Sequence, residues 1–414
     1  MIKNYLILPF YLITVLFLFS CESEKEVNSN HVKNPLTAGY WSSNFTVQGY
    51  RVPFVIFVDE NQNLTIDNNG EIVKMEKPVV EGDSIIVYFT NYPTFLKFKI
   101  DENQKFSGYF SNPDDTNIQS LKLTGEFVGT EKPNLLKVEE NTVNLAGNWE
   151  VYFRPNTPTE YPAIGKFTQE GNIVSGTFLK KSGDSRFLKG NVLNQNEFYL
   201  YGFGGSHATL YKAKYENDTL KGSYFPSNKT EIKWYGVRND DFQLPNMDSL
   251  TYLVDDKLEL NVKTIDGEDF YFPNKDFEGK VTIIQILGTW CPNCLDEARF
   301  FKELYNDFHE EGLEILGVAY ENPKEFDEQA RRVRRYTQNE EIPYKVVIGG
   351  DIQSKKVKED FNMLNDVTAF PTSIFLNKQG EVVKIQTGFN GPGTGEIYEN
   401  YRTETIKLIR ELLD

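Results

Sequence analysis

The sequence predicts a multidomain chain: two antiparallel all-β repeats, each a barrel or a sandwich, followed by an α/β domain. Three observations carry that reading. The chain has 414 residues, too many for one ordinary core, so roughly two to three domains are expected. From about residue 37 to 238, short alternating or apolar runs are broken by Asn-Gly, Glu-Gly and Gly-rich turns, with no long segment of 3.6-residue period. After Asn239, strand-like runs alternate with amphipathic helical stretches. An aromatic content of 14% and a charged content of 25% describe a globular chain. The net charge of −16 argues against nucleic acid as a partner and otherwise speaks mainly for solubility.

Residues 1–20 read as a signal peptide. Lys3 precedes an apolar run over 5–19, shorter than the roughly 20 residues that span a bilayer and suited to a signal h-region. Leu18-Phe19-Ser20-Cys21 resembles a bacterial lipobox, with Phe19 bulkier than usual, which implies lipidation at Cys21. A plain transmembrane anchor is the alternative, and the polar sequence directly after Cys21 argues against it. Glu22-Ser23-Glu24-Lys25-Glu26 resembles the acidic export signal of surface lipoproteins in Bacteroidota. Residues 21–36 would form a polar tether. The expected location is the cell envelope, lipid-anchored on the periplasmic side or at the outer-membrane surface.

Residues 37–130 and 145–238 read as two copies of one β unit. Ala38-Gly39-Tyr40-Trp41 returns as Ala146-Gly147-Asn148-Trp149, and Phe106-Ser107-Gly108-Tyr109-Phe110 is echoed by Leu220-Lys221-Gly222-Ser223-Tyr224-Phe225. Residues 85–100 match 198–215, and Leu121-Lys122-Leu123 matches Ile232-Lys233-Trp234. Each copy has enough strands for a small barrel or sandwich. The Gly-x-Trp start resembles lipocalin-like barrels, whose interior could hold a ligand; a spacer or partner-docking module is the favoured reading. No reaction is legible in these repeats.

Residues 240–414 form the α/β domain. Residues 242–245 and 261–272 predict an opening hairpin with Asp266-Gly267 as its turn. Strand 281–287, helix 294–309, strand 313–319 and a helix over about 323–338 follow. Strand 344–348, helix 353–361, strands 373–377 and 381–386 and a closing helix 396–413 complete a sheet with helices on both faces.

The chemistry lies in Trp290-Cys291-Pro292-Asn293-Cys294, which holds both cysteines other than Cys21. A strand feeding a C-x-x-C at the mouth of a helix suits reversible dithiol–disulfide chemistry. The leader would place the pair outside the cytoplasm, where thiols are oxidised unless something keeps them reduced. A structural zinc site needs about four ligands, and only His31, His207 and His309 are at hand. His309 follows Cys294 by fifteen residues, about 22 Å along a helix, so the spacing argues against zinc. The loop carrying Gly391, Gly393 and Gly395 lacks both the P-loop lysine and a Gly-x-Gly-x-x-Gly spacing. Arg331, Arg332, Arg334 and Arg335 form a basic cluster, by default a solvated face, with docking to an acidic partner as the alternative.

Three ordered motifs carry a specific resemblance. Glu278-Gly279-Lys280-Val281, Gly288-Thr289-Trp290-Cys291-Pro292-Asn293-Cys294 and Ala369-Phe370-Pro371-Thr372 resemble the thioredoxin fold in its TlpA-like form, over the 175 residues from 240 to the end. The resemblance implies an α/β thioredoxin fold and a protein thiol–disulfide oxidoreductase, with reduction the expected direction, while the sequence itself leaves open which way the electrons run. Cys291 would be the nucleophile, its thiolate favoured at the helix start by about 0.3–1 kcal/mol. Cys294 would resolve the mixed disulfide, and Pro371 matches the family's cis-proline. Trp290 would shield the pair and shape the docking surface. Gln285 stands where many thioredoxins have a buried Asp that helps deprotonate the second cysteine. Glu297 matches the glutamate that TlpA-like proteins carry three residues after that cysteine, and would tune the thiols and move protons; a solvated helix glutamate is its alternative. Protein or small-thiol disulfides are the implied substrates, a membrane electron-donor protein the implied source of electrons, and no metal or cofactor is required. A peroxiredoxin would share the fold, yet its Pro-x-x-x-Thr-x-x-Cys pattern finds no match here. The other functional reading is a ligand- or protein-binding envelope lipoprotein whose β repeats do the work, with the thioredoxin domain accessory. Retention of both cysteines argues against it.

Overall fold

Alternation of inward apolar and outward polar residues builds the N-terminal half of the chain. The computed structural model describes residues 35–414 apart from 115–119, 141–142, 245–249 and 256. The expected signal peptide, Cys21 and His31 lie outside the described residues. Leu36 is already part of the packed fold: its N–H donates to Gln62 Oε1 at 3.1 Å, and Gln62 Nε2 donates back to its carbonyl at 2.9 Å.

Among the described residues there are three sheets. The first runs Glu71–Met75, Leu64–Asn68, Tyr50–Val58, Gly39–Val47, Leu121–Gly129, Lys105–Ser111, Phe95–Ile100, Ser84–Tyr88 and Val79–Glu81. Gly39–Val47 alternates strictly between buried and half-buried positions, which turns Trp41, Phe45 and Val47 inward. This sheet curls into a half-barrel whose open seam is spanned by a bridge between Met75 and Phe89. In the second sheet, Tyr161–Glu170 pairs with both Gly147–Phe153 and Ile173–Lys180, which closes a barrel. Closure makes the second copy a barrel, whereas the first, antiparallel throughout, stays a half-barrel.

The two sheets repeat one plan, as the sequence echo predicts. Gly39 and Gly147 open equivalent strands at positive φ, 132° and 110°. Trp41 donates its indole N–H to Thr37 O at 3.0 Å, and Trp149 does the same to Leu145 O at 2.9 Å. The inside of the closed barrel is filled by its own rings. Trp149, Phe153, Phe178, Phe198, Tyr211 and Trp234 are buried, and the Phe178 and Tyr211 rings stack with centroids 4.3 Å apart.

The C-terminal sheet runs Asp269–Phe272, Leu260–Thr264, Lys345–Asp351, Leu313–Glu321, Val281–Leu287, Thr372–Leu376 and Val382–Thr387. Val281–Leu287 is buried at every position, as a central strand covered on both faces must be. Its two faces feed different cores: Ile283 joins Phe300, Phe301 and Ile409, whereas Ile284 and Ile286 join Phe361, Met363 and Leu364. The α/β thioredoxin fold is therefore as predicted. Three details differ. Residues 242–244 form no strand, and the hairpin consists of Leu260–Thr264 and Asp269–Phe272 alone. The first helix is Pro292–Phe308, because Cys291 caps it and Pro292 takes the first turn, where no backbone N–H is needed. The helix expected over 353–361 shrinks to Lys356–Asp360, since the chain leaves it at Phe361 to bury Phe361, Met363 and Leu364. No described helix is long and apolar enough to cross a membrane.

Candidate redox site

The central strand ends at Leu287, and the turn that follows is anchored on its parallel neighbour. Thr289 donates its N–H to Glu321 Oε1 at 2.8 Å and its hydroxyl to Oε2 at 2.7 Å. Glu321 is fully buried, and burial pushes its carboxyl up to about 7 against the pull of those two bonds. The Trp290 indole donates to Tyr320 O at 2.9 Å and lies where any side chain on Gly288 would have to go. Cys291 N–H then returns to Gly288 O at 3.0 Å and closes the turn.

Cys291 caps the helix with its sulfur. Cys294 N–H points at Cys291 Sγ from 3.2 Å, so the sulfur faces the positive end of the helix. The two cysteines are joined as a disulfide with Cα atoms 5.3 Å apart. Cys294 is fully buried and Cys291 is 5% exposed. On the other side, Phe370 O lies 3.6 Å from Cys291 Sγ, a contact that a reduced thiol could use as a donor. The Phe370–Pro371 bond is cis, as the sequence reading expects, and Gly388 N–H donates to Pro371 O at 2.8 Å. The half-buried Trp290 and Phe370 rings sit 5.6 Å apart beside the pair.

Beneath the helix lies a buried carboxyl. Glu297 is fully buried, which overturns the solvated-glutamate alternative. Its Oε2 accepts from Gln285 Nε2 at 2.8 Å and from Ser373 Oγ at 2.9 Å, and Gln285 Nε2 also reaches Cys294 O at 3.3 Å. Burial pushes the Glu297 carboxyl up to about 8, with the Gln285 and Ser373 bonds pulling the other way. Glu297 Oε1 and Gln285 Oε1 have no hydrogen-bond partner among the described residues.

The structure thus gathers Trp290, Cys291, Cys294, Glu297 and Pro371 around one disulfide. His309 stands apart at the far end of the helix, stacked on Tyr305 with centroids 4.3 Å apart. The arginine cluster is a solvated face only in part: Arg331 and Arg334 are exposed at 62% and 43%, whereas Arg332 turns inward. Arg332 is buried and pairs with Asp114 at 2.5 Å and Glu328 at 3.0 Å, Arg331 pairs with Glu328, and Arg334 pairs with Asp266. Sequence reasoning missed Glu321, Ser373, Asp184, Arg186 and Asp296. For Glu321 a signal existed, a charge directly after the apolar run 315–320; Asp184 and Arg186 carry none, because they belong to the other half of the chain.

Residues 254–385 match the AhpC/TSA family. A thiol-disulfide oxidoreductase ResA from Halalkalibacterium halodurans is 26% identical over 129 residues, which cover 31% of this chain and 64% of that protein. The C-terminal region has a thioredoxin fold and is similar in sequence to such thiol-disulfide oxidoreductases. Sporulation thiol-disulfide oxidoreductase A of Bacillus subtilis is 27% identical to it over 143 residues, 34% of this chain and 77% of that protein. This chain spans just under two thirds of the length of the Halalkalibacterium protein. Among solved structures, a thiol:disulfide interchange protein from Chlorobium tepidum is similar at 20% identity and a TM-score of 0.30, covering 38% of this chain and 96% of that one. StoA from Bacillus subtilis is similar at 22% and 0.26, covering 36% and 96%. The β repeats lie outside the AhpC/TSA match.

Proposed function

We propose that this protein is a thiol–disulfide reductase of the cell envelope, anchored by lipid at Cys21, and that its TlpA/ResA-like domain carries the reaction. The observation that supports this most is the disulfide itself: a helix-capping Cys291 and a buried Cys294, flanked by cis Pro371 and backed by the Glu297 carboxyl. The relatives named thiol-disulfide oxidoreductases point the same way.

In the reduced enzyme the Cys291 thiolate attacks one sulfur of a substrate disulfide. The other sulfur leaves as a thiolate and takes up a proton. Cys294 then attacks Cys291 Sγ and releases the second substrate sulfur. Two electrons and two protons have passed to the substrate, and the enzyme is left with the disulfide described above. Glu297 lies three residues beyond Cys294 on the same helix, near enough to share its environment. A carboxyl at about 8 is close to the ordinary thiol value of about 8.5, so proton exchange between the two is nearly balanced. Trp290 and Phe370 frame the approach to Cys291. A dithiol carrier at the membrane would return the electrons.

Equilibration of the pair against glutathione buffers tests the direction. A reductase has a potential at or below about −240 mV; a value near −120 mV would make the protein an oxidant and overturn the reductase reading.

A further inference from the structure

The second β domain reaches into the redox site. Its chain from Lys181 to Arg186 runs along the turns that border the disulfide, one residue after another. Gly388, tied to Pro371 O, packs so closely on this chain that a Cβ there would lie 2.8 Å from Ser182 C and 2.9 Å from Lys181 O. Gly183 pairs with Phe389 in a parallel bridge, and a side chain on it would overlap Phe389 O and Asn293 Nδ2. Asn293, the residue between Pro292 and Cys294, donates its amide to Asp184 O at 3.3 Å and to Phe389 O at 3.1 Å. Asp184 Oδ1 accepts Gly391 N–H at 3.0 Å, and its Oδ2 accepts Arg186 N–H at 2.8 Å. Arg186 is buried and holds Asp296, two residues past Cys294, at 3.2 Å together with Glu71 of the first β domain.

We propose that the Gly183–Arg186 segment is a specificity-determining wall of the redox site: it closes the Asn293 flank of the disulfide and confines exchange to disulfides on extended polypeptide. The proposal rests on the oxidoreductase reading above. Two features make the segment a wall instead of a mobile lid. Its ties include a buried ion cluster drawn from three parts of the chain, and its seam is glycine-tight at Gly183, Gly388 and Gly393. With that flank closed, Cys291 is reached from the side of Trp290 and Phe370, both half-buried. A broad folded surface brought to Cys291 would collide with the wall, whereas an extended chain can pass alongside it.

The test compares two substrates that carry the same disulfide loop, one in a short unstructured peptide and one on the flat face of a folded domain. Full-length enzyme is assayed for kcat/KM on each, and the readout is their ratio. The wild type should favour the peptide by at least about tenfold, and Gly183→Val, which wedges the seam apart, should narrow the ratio to within about threefold. Should Gly183→Val fail to fold, Gly183→Ala wedges the same seam with a smaller side chain, its Cβ falling 2.2 Å from Phe389 O. Any change it makes to the redox potential acts on both substrates and cancels in the ratio. A wild-type ratio near one, or a ratio unchanged in a folded seam variant, overturns the wall. Exchange with neither substrate overturns the oxidoreductase reading, and the wall with it.

Discussion

Glu297→Gln tests the buried carboxyl by stability alone, with no assumption about substrate. The carboxyl's ordinary value is 4.5, and burial in the fold pushes it up to about 8. Between those values the native state holds a proton that the unfolded chain has lost. Unfolding therefore releases a proton in that window, and stability falls as pH rises through it. Stability from this group is fully present below about 4.5 and is lost on the way to about 8. Without local relaxation, the loss between pH 5 and pH 8 amounts to roughly 3–4 kcal/mol. The glutamine side chain has nearly the same shape, can still accept from Gln285 and Ser373, and has no proton to lose. Asp184, Asp296 and Glu321 are also raised by burial, and they titrate alike in both proteins, so their effects drop out of the difference. The assay is urea unfolding of oxidised wild type and variant at pH 5, 6.5 and 8, where the disulfide keeps the cysteines silent. The variant should gain on the wild type steadily with pH, by roughly 3–4 kcal/mol across the range. A difference that does not change with pH, or one that moves in favour of the wild type, would refute the assignment of a buried, proton-holding Glu297.

The reduced enzyme offers a second use of the same variant: Glu297→Gln should shift the Cys294 thiol and slow exchange by at least about tenfold, read by pH-dependent alkylation and stopped flow. If both thiols and the rate stay put, Glu297 has no part in proton transfer. Thr289→Val removes a hydroxyl from buried Glu321 and should cost about 1–3 kcal/mol, with the larger cost above pH 7, where Glu321 is ionised; an unchanged urea midpoint would contradict this. Arg186→Met removes the cation that Glu71 and Asp296 share, leaving Asp296 only Arg299 at 3.7 Å, and should cost about 3–5 kcal/mol at pH 8. The cost should shrink below pH 7, because burial has raised Asp296 to about 7 and it can then take up a proton; equal losses at pH 6 and pH 8 would argue against this pairing.

Much of the site was legible because its parts are local. The apolar run 281–287 and the C-x-x-C after it define strand, turn and helix within a few residues, and Pro371 carries its own backbone signal. The duplication was legible because Gly39 and Gly147 start equivalent strands for the same steric reason, and each copy repeats a tryptophan with the same backbone bond. What sequence could not supply is non-local. Glu297 was open to a solvated reading because glutamate on a helix is usually exposed, and only Gln285 and Ser373 arriving from two strands reveal its burial. The arginine run looked like a free face, yet Arg332 finds Asp114 more than two hundred positions away in the first β domain. The Lys181–Arg186 chain has no pattern that links it to Asn293, since contacts between domains leave no period in either segment.

Trapping with Cys294→Ser tests the central claim most directly. With the resolving thiol gone, Cys291 should hold its substrate as a stable mixed disulfide, visible by non-reducing electrophoresis and mapped to Cys291 by mass spectrometry. The account predicts such adducts on Cys291, released by a reductant and lost in the Cys291→Ser/Cys294→Ser double variant. Absence of any Cys291 adduct under conditions where the wild type cycles would contradict it.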